Sequence, residues 1–173
     1  MLIMAIDPGY EQSAYVLYNG RHVLEHAIEP NDALLARLTS GQWRVGEIAV
    51  VVIEMIESFG MPVGRETFET VFLIGRIYER ATLRTRRAER VTRRTVKLHL
   101  CHSARAKDSN IRTALIDRFG GSKAAAIGTK SARGVLYGIR ADEWQALALA
   151  VTYYEQRGSR PAVHSVPTVE TSQ

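Results

Sequence analysis

Two short, continuous runs of apolar residues in the first third of the chain predict buried β-strands. The first run covers residues 3–6 and ends on Asp7, and the second covers residues 48–53 and ends on Glu54. Uninterrupted apolar runs of this length are typical of strands that are covered on both faces. Pro8 and Gly9 interrupt the pattern directly after Asp7 and predict a sharp turn there.

The pattern of apolar and polar residues between these two runs predicts an antiparallel meander and a short helix. Residues 14–18 are rich in β-forming side chains, and Asn19-Gly20 is a strong hairpin signal. Residues 21–28 then supply the returning strand. Asn31 is expected to cap a short helix over residues 33–38.

A long helix, a fifth strand and two more helices are predicted further along the chain. Between residues 65 and 84 apolar side chains recur every three or four positions, which indicates an amphipathic helix. These positions include Phe68, Val71, Phe72, Gly75 and Tyr78. Residues 92–100 alternate in part and are interpreted as a strand. A helix is expected to begin at Asp108 or Ser109, with Asp108 as its cap, and a last helix covers residues 142–156.

This order of elements predicts one α/β domain over residues 1–157. The opening meander and the later helix-linked parallel strands would form one mixed sheet flanked by helices. A chain of 173 residues is long enough for one full core. Residues 158–173 are polar, contain two prolines, and are expected to form a disordered tail.

The chain has a formal net charge of +5 and a pI near 9.6, and its excess of basic residues is concentrated in one segment. The basic residues between positions 76 and 97 are Arg76, Arg80, Arg84, Arg86, Arg87, Arg90, Arg93, Arg94 and Lys97. Such a dense run favours a polyanionic partner, above all nucleic acid. A solvated face is the alternative, and a membrane surface fits less well because the basic half lacks a strong apolar stripe.

The cysteine content and the lack of an apolar segment long enough to span a membrane predict a cytoplasmic protein. Cys101 is the single cysteine, so an internal disulfide is excluded and a reducing compartment fits best. No signal-peptide pattern is apparent at the N-terminus. No apolar run approaches the ~20 residues that are needed to span a bilayer.

Three carboxylates are candidates for a metal site at one edge of the predicted sheet. Asp7 and Glu54 each follow a buried strand, and Asp142 begins the last helix with Gln145 one turn further along. Carboxylates gathered at strand ends repel one another, and a divalent cation is the usual remedy. The alternatives are ordinary turn chemistry for Asp7 and an N-cap role for Asp142.

The sequence around these acids resembles the RuvC-like Holliday-junction resolvases of the ribonuclease H-like superfamily, and within it the phage- or prophage-type proteins. The similar segments are residues 6–9, 52–64, 101–112, 134–139 and 141–150, and the similarity extends from residue 2 to about 156. The resemblance implies a ribonuclease H-like fold and a homodimeric endonuclease. It also implies that the enzyme cleaves four-way or other branched DNA in a bacterial host cell.

On this resemblance, Asp7, Glu54 and Asp142 are the catalytic, metal-binding residues. Two Mg²⁺ or Mn²⁺ ions about 3.5–4 Å apart would activate water and stabilise the leaving oxygen. Gln145 stands where the cellular resolvases place their last aspartate, so the site has lost one charge. In an alternative frame Asp142 is itself the last ligand and no acid lies one turn before it. Glu143 is then a further candidate ligand, but only if the helix begins with an irregular turn.

The departure at Gln145 keeps two other functions open. One is a catalytically impaired protein that binds branched DNA, and the other is a different nuclease on the same scaffold, such as a ribonuclease H. The basic residues expected to contact DNA are Arg84, Arg86, Arg87, Arg90, Arg93, Arg94, Lys107, Lys123 and Lys130. Phe59, in the Gly-rich loop after Glu54, is expected to stack on an unpaired base at the branch point or, alternatively, to cover the core.

Overall fold

The computed structural model describes residues 1–40, 48–57, 60, 62–85 and 87–158, with the side chain of Arg84 left out. The strands are β1 (Leu2–Asp7), β2 (Gln12–Tyr18), β3 (Val23–Pro30), β4 (Ile48–Met55) and β5 (Ala88–Thr92). The helices are α1 (Asn31–Ser40), α2 (Arg65–Thr85), α3 (Arg93–Cys101), α4 (Asp108–Gly120), α5 (Lys123–Ala126) and α6 (Glu143–Gly158). The predicted tail, from residue 159 on, lies outside the described residues.

The strands form one mixed sheet in the order β3-β2-β1-β4-β5. β1 pairs antiparallel with β2, and β2 pairs antiparallel with β3, as the predicted meander requires. β1 pairs parallel with β4, and β4 pairs parallel with β5. The predicted α/β class is therefore confirmed. Among the described residues, no helix is long and apolar enough to cross a membrane.

Each face of the sheet is covered by its own layer of helices. Ile3 and Ala5 of β1 face the layer that contains α3, α4 and α6, and their neighbours Met4 and Ile6 face α1 and α2. This division follows from the two-residue alternation of side chains along a strand. Apolar side chains cover β1 and β4 on both faces, which explains why these strands have continuous apolar sequences rather than alternating ones.

The meander is joined as predicted, but Asn31 has a different role from the one expected. The carboxamide oxygen of Asn19 accepts hydrogen bonds from the backbone N–H groups of Arg21 and His22, which closes the turn after β2. Asn31 is the first residue of α1, and its side-chain nitrogen donates to the carbonyls of Gly9 and Tyr10 at 3.1 and 2.9 Å. It therefore fixes the turn that follows Asp7.

The prediction of a strand over residues 92–100 is wrong. Here β5 ends at Thr92, and α3 begins at the next residue. Thr92 has extended backbone angles, and its hydroxyl accepts a hydrogen bond from the Thr95 N–H group, so it is the N-cap of α3. Val96 and Leu100 are buried, whereas Leu98, which a strand would place on the same face, is 45% exposed, as a helix requires.

Helix α2 occupies its predicted position, but a different face packs against the sheet. The buried face of α2 consists of Leu73, Ile74, Ile77 and Ala81. The aromatic residues that dominate its apolar pattern lie on the outside, because Phe68 and Phe72 are each 66% exposed. The helix is therefore apolar on two faces, only one of which is covered within the described chain.

Both edge strands of the sheet carry charged clusters. On β5, Glu89 binds Arg87 at 3.0 Å, and it also contacts Arg157 and the Tyr153 hydroxyl of α6. These contacts lower the pKa of Glu89 from 4.5 to about 2 despite its partial burial. On β3, Glu25 and Glu29 bind Arg37 of α1. Charged side chains at sheet edges discourage pairing with another chain's strand.

Two glycines allow the cost of a strained backbone angle to be measured apart from the cost of steric overlap. Gly121 and Gly128 have nearly equal positive φ angles of 72° and 70°. A Cβ at Gly121 would meet no atom within 4 Å, whereas one at Gly128 would lie 2.1 Å from the carbonyl oxygen of Ala132. We expect Gly121→Ala to destabilise the fold by ~1–2 kcal/mol through φ alone.

Gly128→Ala is expected to cost a further ~1–3 kcal/mol, because overlap with backbone cannot be relieved by a rotamer change. Urea unfolding of both variants measures the difference. Equal midpoints for the two variants would contradict the close backbone approach at Gly128.

Candidate active site at the ends of strands β1 and β4

The parallel pairing of β1 and β4 brings Asp7 beside Glu54. Ala5 is paired with Val52 and Ile6 with Ile53, so the next residue of each strand is a carboxylate at the same level. Both carboxylates have the same parity as Ala5 and Val52, whose side chains face the α6 layer. The register therefore directs Asp7 and Glu54 to one face and one end of the sheet.

Asp7 lies in a setting that opposes its negative charge. Burial, the neighbouring Glu54 and the acids Asp142 and Asp108 together raise the pKa of Asp7 from 3.8 to about 8, although Arg93 acts in the opposite direction. Among the described residues, the Asp7 carboxyl has no hydrogen-bond or ion-pair partner. Acids from β1, β4, α4 and the start of α6 therefore influence one another at this point, and their combined charge is incompletely compensated.

Glu54 is the acid that has a basic partner. Arg93, the first residue of α3, places one guanidinium nitrogen 3.2 Å from Glu54 Oε1 and the other 2.7 Å from Asp108 Oδ1. Burial raises the pKa of Glu54 above its usual range, although the charge of Arg93 and its hydrogen bond act in the opposite direction. Arg93 thus links the end of β4 to the start of α4.

Asp108 does not cap its helix as predicted. Lys107 is the N-cap residue of α4, and its backbone N–H donates to the side-chain oxygen of Asn110 at 2.8 Å. The Asp108 side chain is 61% exposed and contacts Arg93 instead. The carboxylate of Asp108 therefore belongs to the acidic group around Asp7.

Asp142 and Gln145 stand at the start of α6, as the helical spacing predicts. Asp142 directly precedes the helix, and its carbonyl accepts hydrogen bonds from the N–H groups of Gln145 and Ala146. Its side chain is exposed, and it is close enough to Asp7 to raise the pKa of that carboxyl. Gln145 is half-buried one turn further along the helix. Asp142 is thus positioned as an N-cap residue and near the acids as well.

Glu143, suggested as a further metal ligand, is buried and has other partners. Its side chain is 1% exposed, and its carboxylate accepts a hydrogen bond from the Arg140 N–H group at 2.8 Å. The same oxygen lies 3.1 Å from His26 Nδ1 of β3. Glu143 therefore braces the loop before α6, including Ala141 at a φ of 41°, and does not join the acids near Asp7.

The acids at this edge of the sheet have the chemistry of a site for a hard divalent cation, but they are spread apart. Carboxylate oxygens are the ligands that Mg²⁺ and Mn²⁺ prefer, and a cation would relieve the repulsion that raises the pKa of Asp7. Within the described part of the chain, however, no three carboxylate, imidazole or thiol groups are close enough to hold one ion. Glu54 is engaged by Arg93 instead.

The predicted basic run does not form one continuous face. Arg87 lies directly before β5, ~13 Å along the strand from the level of Glu54, and is paired with Glu89. Arg90 stacks over the ring of Tyr78 on α2 at 5.3 Å. Arg93 is held by Glu54 and Asp108. Arg86 and the side chain of Arg84 lie outside the described residues.

Three basic residues of the run, Arg93, Arg94 and Lys97, lie beside the acids and line a groove of about 440 Å³. The groove is lined by Glu54, Met55, Ile56, Glu57, Arg93, Arg94, Lys97 and Ala104. Arg94 is exposed and forms no ion pair with any described residue. Lys97 is not among the individual residues that the sequence predicts to contact DNA. It faces the same groove as Arg94 because residues three apart lie on the same side of a helix.

The three candidate lysines are all on the surface. Lys107 directly precedes Asp108 and is exposed, which places it at the rim of the acidic group. Lys123 begins α5, and Lys130 lies in the loop after it, both exposed. No described contact ties these two lysines to the acids. Phe59 lies outside the described residues, so its expected role in stacking stays a prediction.

Arg93 and Asp108 have recognisable signals in the sequence, although the sequence predicts other roles for them. Thr92 and Thr95 mark the start of a helix, which puts Arg93 in its first turn beside the end of β4. Asp108 follows Lys107 in the segment that resembles the resolvases. The contact between them depends on how α3 and α4 pack, and no local pattern encodes that.

No family model and no curated protein matches the chain. Solved structures do match it. Thermus thermophilus RuvC has a TM-score of 0.58 and 17% identity, covering 92% of this chain and 98% of that chain. RuvC of T. thermophilus in complex with a Holliday junction substrate has a TM-score of 0.60 at 17% identity, covering 92% and 97%.

A structure of the fowlpox virus resolvase with Holliday junction DNA has a TM-score of 0.49 at 15% identity, covering 91% of this chain and 99% of that chain. The similarity to RuvC spans nearly the whole of both chains. At 17% identity such a likeness establishes the fold. The chain has the ribonuclease H-like fold of RuvC.

Proposed function

We propose that the chain is a divalent-metal-dependent endonuclease that cleaves four-way or other branched DNA. The observation that carries the proposal is the parallel register that sets Asp7 beside Glu54, with Asp142 within electrostatic reach. These carboxylates repel one another, a divalent cation would relieve that repulsion, and phosphodiester hydrolysis is the chemistry that acidic, cation-binding sites support. Metal dependence and cleavage are both part of the proposal.

Each residue of the site has a distinct proposed role. Asp7, Glu54 and Asp142 would hold Mg²⁺ or Mn²⁺, with the amide oxygen of Gln145 as a neutral further donor. When bound, the metal lowers the pKa of a coordinated water and stabilises the leaving oxygen. Asp7 is central because Glu54, Asp142 and Asp108 all act on its carboxyl. Arg94 and Lys97 would bind the phosphates beside the acids.

Branched DNA is proposed as the substrate on three grounds. The groove beside Glu54 is basic, and the chain as a whole is positively charged. The sequence segments around the acids resemble the resolvases. A structural neighbour with the same fold, T. thermophilus RuvC, was solved in complex with a Holliday junction substrate.

A second candidate function is a branched-DNA-binding protein without catalysis. It is favoured by Gln145, which brings no charge to the end of the site, and by the engagement of Glu54 with Arg93. Both features weaken the attraction for a cation, but neither reduces the basic character of the groove.

We also propose that the chain acts as a homodimer through the outer face of α2. Phe68, Val71, Phe72 and Tyr78 form a continuous exposed stripe there, and Gly75 leaves open space between them. Large exposed apolar patches mark interaction sites. The occupant that fits best is a second copy, because a two-fold dimer matches the symmetry of a four-way junction and each copy supplies the same stripe.

The enzymatic proposal predicts symmetric nicks in a synthetic four-way junction with Mg²⁺ or Mn²⁺. Asp7→Asn is expected to reduce cleavage by more than ~100-fold while junction binding persists, because even outer partners of metal ligands contribute ~10–100-fold. Asp117→Asn, which removes an exposed acid from α4, is the matched control and leaves the rate unchanged.

The same assay distinguishes the alternatives. Cleavage of RNA–DNA hybrids in preference to junctions would identify a ribonuclease H. Tight junction binding without nicks in either metal would identify the binding protein.

The raised pKa of Asp7 predicts how stability depends on pH in the absence of metal. Because the folded state holds the Asp7 proton up to about pH 8 and the unfolded state releases it near 3.8, this contribution to stability is lost as pH rises between these values. Asp7→Asn stays neutral throughout. We therefore expect its Tm in EDTA to exceed that of the native chain increasingly from about pH 5 to about pH 8.

We expect added metal to reverse the order of the two Tm values, so that the native chain becomes more stable than Asp7→Asn. At about a hundred times its dissociation constant, Mg²⁺ should stabilise the native chain by ~2.7 kcal/mol and Asp7→Asn by much less. Differential scanning calorimetry measures both effects. A Tm that does not respond to millimolar Mg²⁺ or Mn²⁺ would argue against the metal site.

The dimer proposal predicts that Phe72→Glu gives a monomer. A carboxylate in the centre of the α2 stripe would be buried without a partner on association, which is strongly unfavourable. Leu24→Glu, at an isolated apolar residue on β3 that is 58% exposed, is the control and leaves the dimer intact. Sedimentation equilibrium measures the mass, and a native chain that is already monomeric at high concentration would refute the proposal.

A further inference from the structure

Arg93 is placed between two carboxylates at the rim of the candidate active site. One of its guanidinium nitrogens contacts Glu54 at 3.2 Å, and the other contacts Asp108 at 2.7 Å. A planar guanidinium is well suited to bind two acceptors through separate N–H groups. Arg93 therefore supplies positive charge directly to one of the acids that the proposed function assigns to the metal.

We propose that Arg93 is a positioning residue that holds Glu54 in the metal-free protein and competes with the divalent cation for that carboxylate. The proposal rests on the proposed function, because Glu54 has to be a metal ligand for the competition to exist. Binding of the cation then requires Glu54 to exchange the guanidinium for the metal, while Asp108 retains Arg93 at the rim.

The burial of the three side chains explains why Arg93 competes with a cation for Glu54 and not for Asp108. Glu54 is only 12% exposed, Arg93 is 32% exposed and Asp108 is 61% exposed. A buried carboxylate that loses its partner is poorly compensated by water, so the bond between Arg93 and Glu54 opposes metal binding. Asp108 is well hydrated, and its contact fixes the position of Arg93 without comparable cost.

The charges around Glu54 leave room for a second cation. Burial raises the pKa of Glu54, and the charge and hydrogen bond of Arg93 offset that rise only in part. Lys97 acts in the same direction as Arg93, whereas Asp108 acts against it. The geometry agrees, because among the described residues Glu54 is held by Arg93 through Oε1 alone, at 3.2 Å.

The position of Arg93 also explains why its release would be useful. It lines the same groove as Arg94 and Lys97, where the DNA phosphates are proposed to bind. Since the first turn of α3 fixes its backbone, a freed guanidinium remains at this surface. Metal binding would then add one cation to the groove.

The test measures Mn²⁺ binding to the full chain without DNA, by calorimetry and by the electron paramagnetic resonance signal of free Mn²⁺. Arg93→Ala is expected to bind Mn²⁺ about tenfold more tightly, because the competing charge-assisted hydrogen bond is gone. In EDTA the same variant is expected to have a lower Tm than the native chain, because Glu54 loses its partner. A purely structural residue would weaken both properties together.

Two further variants control for net charge and for folding. Arg94→Ala removes the same charge from the same helix and groove but contacts no described carboxylate, so its Mn²⁺ affinity should change by less than about twofold. Arg93→Lys preserves the charge but lacks the planar fork, and we expect an affinity between those of the native chain and Arg93→Ala. It carries the test if Arg93→Ala does not fold.

The possible results separate this inference from the proposed function. If the native chain binds Mn²⁺ and the Arg93 variants bind it equally or more weakly, the competition is refuted and the metal site stands. If Arg94→Ala tightens binding as much as Arg93→Ala, the effect is general charge and the inference also fails. If neither the native chain nor Arg93→Ala binds Mn²⁺, the proposed function itself is refuted.

Discussion

The electrostatic repulsion between carboxylates at the ends of β1 and β4 is the constraint on which the candidate site depends. Asp7 and Glu54 meet because two parallel apolar strands end at the same level. The surrounding structure responds in two ways. The pKa of Asp7 rises, and Arg93 binds both Glu54 and Asp108.

Helix α6 connects this site to the far edge of the sheet. Asp142 precedes the helix in a loop that Glu143 fastens to the Arg140 backbone and to His26 on β3. Trp144 then enters the core while Arg112 lies over its ring at 4.7 Å. The position of Asp142 is therefore set from outside the acidic group, by contacts that would be unaffected by the charge on Asp7.

The parts of the fold that follow from sequence are those with continuous or strictly periodic signals. The apolar runs before Asp7 and Glu54, the Asn19-Gly20 turn and the last helix all have local causes, and each lies where it is predicted. The error at residues 92–100 arises because the threonines and Val96 favour a strand locally. The capping bond of Thr92 and the packing of α3 on α6 decide in favour of a helix.

The site is predictable as far as strand ends and helix starts determine it. Asp7, Glu54 and Asp142 are each tied to the end of an element, so their approach to one another can be inferred from topology. The bridge made by Arg93 cannot be inferred in this way, because Glu54 is 39 residues and Asp108 is 15 residues away from Arg93 in the sequence. The side on which Glu143 points depends likewise on a histidine from β3.

The charged clusters on both edge strands limit how this protein can assemble. With Glu89 and its arginines on β5, and with Glu25, Glu29 and Arg37 at β3, neither border of the sheet offers a neutral template for strand addition. Growth into continuous intermolecular sheets is thereby disfavoured. Any self-association is directed to the helical surfaces, away from both borders of the sheet.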